Sequence, residues 1–159
     1  MINITAGALA ARCIIIIAMK QGEIKKIFKE MGFDLVSVSK EVYMFNFEDV
    51  KILYLLDNKD SECLRIAIPC VYEITTENKE LMAEIINETN LKIKYAKALV
   101  ISDQVWMNYE CFMPENADVE EVITHCLMVL LAMKRMFFGL IEGDNIDADK
   151  CLWQNKGKE

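Results

Sequence analysis

The chain has 159 residues, of which 53% are hydrophobic and 27% charged, with a formal net charge of −7 and a pI near 4.9. That length and composition fit one globular domain with a sizeable core rather than a disordered chain. A surface this acidic repels phosphate backbones, which argues against a nucleic-acid partner.

The N-terminal stretch Cys13-Ile14-Ile15-Ile16-Ile17-Ala18-Met19 is too short to span a bilayer, which takes about 20 apolar residues. Arg12 precedes it, but no small-residue cleavage site follows, so it does not read as an export signal. The expectation is a cytoplasmic protein with no membrane role, its six cysteines reduced and structural. No two of them form a C-x-x-C pair. Residues 1–21 are read as an apolar extension, packed on the domain or on a second subunit, or as an extra start preceding Met19. Residues 22–143 are read as the single domain and 144–159 as a polar tail.

Ile24, Ile27, Phe28 and Met31 recur at helical spacing opposite Lys25, Lys26, Lys29 and Glu30, and Gly32 suits the C-terminal cap. Strand signals follow at Leu35–Ser39, Val42–Phe47 and Lys51–Leu56, separated by short polar breaks that fit antiparallel turns. A further strand is predicted over about Leu64–Ile68, with Pro69 ending it or marking an edge. From Glu77 onward, Leu81, Met82, Ile85 and Ile86 form the apolar face of a second helix. Then a hairpin is expected, in which Ile93 and Tyr95 point inward from its first strand and Val105, Met107 and Tyr109 share one face of the second. Asp118 followed by Glu121 opens a long helix from Val119 to about Glu142, closed by Gly143; at about 1.5 Å per residue it spans roughly 35 Å. The predicted fold is α+β, an antiparallel sheet of meander plus hairpin flanked by helices, in the order α-β-β-β-(β)-α-β-β-α.

From Met128 the long helix is apolar nearly all round, so more than one surface must cover it. Three covers fit: the rest of its own domain, a second copy in a homodimer, or a bound polypeptide. Met128, Leu131, Met133, Met136, Phe137 and Phe138 are the candidate interface or partner-binding residues.

Signals for chemistry are absent. His125 is the single histidine, and its neighbour Cys126 points about 100° away around the helix, so the two make no nucleophile–base pair. No G-x-G-x-x-G or phosphate-cradling P-loop occurs, and Asp144–Lys150 lacks the glycine and closing glutamate of a calcium loop. The expectation is a non-catalytic protein without cofactor or metal.

The element order resembles that of the YbjN-like family and the type III secretion chaperone fold. The likeness rests on Gly22 to Phe33, the meander through Ile68, and "ISDQVWMNYECFMPENADVEEVITHCLMVLLAMKRMF", and covers about Gly22 to Glu142. It implies a small acidic protein, often dimeric, that binds another polypeptide. The alternatives are a small-molecule-sensing α+β domain with a closed apolar pocket, and a hydrolase or transferase with dispersed residues.

Overall fold

The structure is a computed structural model and describes residues 21–57, 62–114 and 116–143. The isoleucine run, the polar tail, Cys13 and Cys151 lie outside the described residues. Residues 21–30 form helix α1. It is followed by β1 (Val36–Ser37), β2 (Val42–Phe47), β3 (Val50–Leu55), β4 (Cys63–Glu73), α2 (Lys79–Lys92), β5 (Ala96–Ile101), β6 (Gln104–Phe112) and α3 (Val119–Glu142). The six strands make one antiparallel sheet in the order β1-β2-β3-β4-β6-β5. The chain is therefore α+β with the predicted order of elements.

Turn chemistry fixes the register. Glu48 and Asp49 have φ of 46° and 61°, and Ser102 and Asp103 have 49° and 59°. Two consecutive positive-φ residues match the right-handed twist of the strands they join. β2 then pairs β3 from Val42↔Leu55 to Phe47↔Val50, and β5 pairs β6 from Ala96↔Tyr109 to Ile101↔Gln104.

Because side chains alternate along a strand, this register places Phe45, Ile52, Tyr54, Leu64, Ile66, Ile68, Val105, Met107, Tyr109, Ala96 and Ala98 on one face. All are buried, and they join Ile24 and Phe28 of α1, Met82 and Ile85 of α2, and the apolar residues of α3 in a single core. The helices thus cover one face of the sheet. Phe28 anchors α1, its ring 5.0 Å from Phe45 and 5.1 Å from Tyr54. Asp118 caps α3 by accepting from the Glu121 amide at 3.1 Å, and Gly143 closes it in the left-handed region at φ 81°.

Two local expectations differ from the structure. β4 does not end at Pro69: it runs on to Glu73 in the middle of the sheet. The register shifts between Ile68 and Tyr72, with Cys70 at φ 51°, so Pro69 sits at a bulge, where a missing amide donor costs little. Tyr95 does not point inward. It has φ 69° and is 70% exposed, because α2 continues through Lys92 and the chain must reverse before β5 begins.

Candidate functional site

The stripe of large apolar residues on α3 lies largely inside the domain. Leu131, Met133, Met136 and Phe137 are buried, while Met128 and Phe138 are half-buried. Phe137, Phe138 and Tyr72 of β4 form a three-ring cluster, with Tyr72 6.0 and 6.3 Å from the two phenylalanine rings and those rings 5.6 Å from each other. β4, β5, β6 and α2 all pack against α3. The helix is long and apolar enough to cross a membrane by length and composition, and 61% of its most apolar window is buried within the fold, as a core helix would be. The cover that this helix requires is supplied mostly by its own domain.

The edges of the sheet are also protected. β1 is two residues long. At β5, Asn90 of α2 reaches across to the strand: its side-chain amide donates to the Ala98 carbonyl at 3.1 Å, and its oxygen accepts from the Ala98 amide at 2.7 Å. Asn90 thus occupies the groups a further strand would use, one way of blunting an edge. Asn90→Ala is expected to cost about 1–3 kcal/mol in denaturant unfolding, because both Ala98 groups lose their partner. A loss below about 0.5 kcal/mol would mean the clamp adds nothing.

The second face of the sheet carries no helix among the described residues. Register places Met44, Leu53, Leu55, Ala67, Trp106, Leu99, Ile101 and Phe112 there. Ala67 is buried between larger neighbours, whereas Leu99, Ile101 and Phe112 are 39%, 45% and 66% exposed. The Trp106 indole Nε1 is buried with no acceptor. Lys51, Arg65 and Lys97 share this face with Glu73 and Glu110, and Arg65 pairs with Glu110 at 2.7 Å. The face therefore carries no excess of negative charge, although the chain as a whole is strongly acidic.

On the helix-covered face, α3 brings His125 and Cys126 onto the end of β6. The Tyr109 hydroxyl and His125 Nδ1 share a hydrogen bond of 3.0 Å, and the His125 ring stands edge-on to Tyr95 and Tyr109 at 5.7 and 5.9 Å. Cys111, two residues beyond Tyr109, faces Cys126. Interaction with the Cys126 side chain holds the Cys111 thiol below its ordinary pKa against the opposing effect of burial. The same contact, followed by burial, pushes Cys126 strongly up. Burial, then the nearby thiols, pushes Tyr109 up as well. An open groove of about 280 Å³ exposes this cluster, lined by Tyr109, Cys111, Phe112, Glu121, Val122 and His125.

The sequence located His125 but not its tyrosine partners, and it treated Cys111 and Cys126 as unrelated. No fixed spacing links a strand cysteine to a helix cysteine, so only the packing of α3 on β6 reveals the pair. Nor are all the cysteines embedded as small core residues: Cys70 is exposed at the bulge, and Cys63 and Cys111 are half-buried. Among the described residues, no three His, Cys, Asp or Glu side chains gather as metal ligands. Two further grooves, of about 420 Å³ beside Leu131 and Phe138 and about 370 Å³ between α2 and Val100, are open to solvent.

No protein-family model matches the chain, and no curated protein matches it. Among solved structures, an uncharacterised protein from Methanothermobacter thermautotrophicus superposes with a TM-score of 0.54 at 16% identity, over 78% of this chain and 97% of that one. At that identity the likeness is one of fold alone.

Proposed function

We propose that this is a non-catalytic, chaperone-like protein-binding domain that forms a homodimer through the helix-free face of its sheet. The observation that carries the reading is the set of apolar residues on that face: Trp106, Leu99 and Ile101 on the adjacent strands β6 and β5, and Leu53 on β3, separated from them by Ala67 of β4. An antiparallel sheet can leave one face in water, but that face is then normally polar. Two such faces meeting across a two-fold axis would bury both sets as a sandwich. The balanced charge of the face removes the repulsion that two acidic chains meet elsewhere. The YbjN-like and secretion-chaperone likeness points the same way.

Sedimentation equilibrium of the full chain tests the proposal. The expected result is a dimer at micromolar concentration that becomes monomeric in the double substitution Leu53→Glu/Leu99→Glu, with the melting temperature of the diluted protein little changed. A wild-type chain that stays monomeric across that range, or a dimer indifferent to both substitutions, overturns it.

A further inference from the structure

We propose that the outer edge of β5, together with the groove between that edge and α2, binds an extended, uncharged polypeptide segment as a short added strand. β5 is the last strand of the sheet. Backbone groups alternate in direction along an antiparallel strand. Those of Lys97, Leu99 and Ile101 turn to β6, and those of Ala98 and Val100 turn to the edge. The Asn90 carboxamide shows what this edge accepts. A side-chain amide carries the same donor and acceptor as a peptide group, and Asn90 gives both to one residue, Ala98, at 3.1 and 2.7 Å. That is the exchange made by a hydrogen-bonded residue of an antiparallel partner strand. It covers Ala98 alone. Val100 lies about 6.6 Å further along the strand. It is 54% exposed, and its amide and carbonyl meet no partner among the described residues.

The groove supplies the rest of the site. It holds about 370 Å³ between α2 and Val100, and Ile74, Ala83, Ile86 and Val100 form its apolar lining. A partner residue opposite Val100 projects to the same face of the sheet as the Val100 side chain. That is the helix-covered face, on which Ala96 and Ala98 are buried. The partner's side chain therefore enters the groove, and a branched apolar one suits both the lining and an extended backbone. Charge selects in the same sense. Lys79 and Asp103 are the charged residues of the lining and are of opposite sign, so the groove is neutral on a chain of net charge −7. A charged side chain would have to leave water against Ile74 and Ile86. In strand addition of this kind, main-chain bonds supply affinity and the pocket supplies selectivity. Asn90 limits the added strand to one fully bonded residue, so the complex is weak. The site lies apart from the helix-free face, and the proposal stands whether or not the chain dimerises.

The probe is the pentapeptide acetyl-Thr-Thr-Ile-Thr-Thr-amide, titrated into the isotope-labelled full chain and followed by amide chemical shifts. The expected result is saturable shifts centred on Val100, Ala83 and Ile86, with a Kd of about 0.1–1 mM. Two changes remove the main-chain bonds one at a time. N-methylation of the peptide's isoleucine deletes the amide that donates to the Val100 carbonyl. Val100→Pro deletes the edge amide, and the strand tolerates it because that N–H lies outside the ladder to β6. Each should weaken binding about tenfold. Ala83→Glu, at an exposed position of α2, should weaken it from the groove side. Leu91→Glu, exposed on the same helix but outside the groove, should leave it unchanged. Circular dichroism checks that the variants fold, and the N-methyl comparison needs no variant. Absence of saturable shifts up to about 10 mM peptide, shifts centred instead on Trp106 and Ile101, or binding indifferent to N-methylation overturns the proposal.

Discussion

Met133→Lys is expected to unfold the protein rather than release a monomer. Met133 is fully buried, between the sheet and the other helices, and no described carboxylate belongs to the core around it. An unpaired ammonium there must be desolvated or deprotonated, and substitutions of this kind cost about 4–5 kcal/mol or more. Domain stability is only about 5–15 kcal/mol, so soluble yield and the cooperative melt should both collapse. Met128→Lys is the matched comparison. Met128 is half-buried on the same helix, and a lysine stem can run along apolar surface with its charge in water, so that variant should fold. If Met133→Lys instead gave a soluble, cooperatively melting monomer, α3 would be an interface helix and not a core one.

This contrast shows where sequence reasoning stops. The strands between Val42 and Leu55 and between Ala96 and Phe112 are rich in β-branched and aromatic residues and broken by short polar pairs, and Asp49 and Asp103 tolerate the positive φ their turns adopt. The element order was legible for that reason, as were both caps of α3. The apolar surround of α3 was legible too, but not its meaning, since a helix covered by its own domain and one covered by a partner show the same pattern. The chain resolves this by laying all three described helices on one side of the sheet. The unsatisfied surface then moves to Leu53, Trp106 and Leu99, residues that read in the sequence as ordinary strand positions. Pro69 misled because the bulge at Cys70 depends on pairing with β6, more than thirty residues away in the sequence. The Tyr109–His125 hydrogen bond was invisible for the same reason: it exists only once a helix packs on a strand.

Phe28→Ala is the second large effect. α1 is short, and helices of this length draw their stability from packing rather than propensity. Phe28 is fully buried, with ring neighbours Phe45 and Tyr54 at about 5 Å and Phe33 at 6.1 Å. Tilted and edge-on ring pairs of this kind add to the area they bury. Removing the ring leaves a cavity bounded by a strand pair on one side and the α1–β1 connection on the other, and Phe→Ala in such a setting costs about 3–5 kcal/mol. For a domain of this size that corresponds to a fall in melting temperature of roughly 10–20 °C. Phe28→Leu keeps much of the volume and should lose well under half as much, which separates packing from a general intolerance at the position. Thermal melts monitored by circular dichroism decide the matter. A loss below about 1.5 kcal/mol for the alanine variant would mean that α1 does not depend on this aromatic cluster for its place on the sheet.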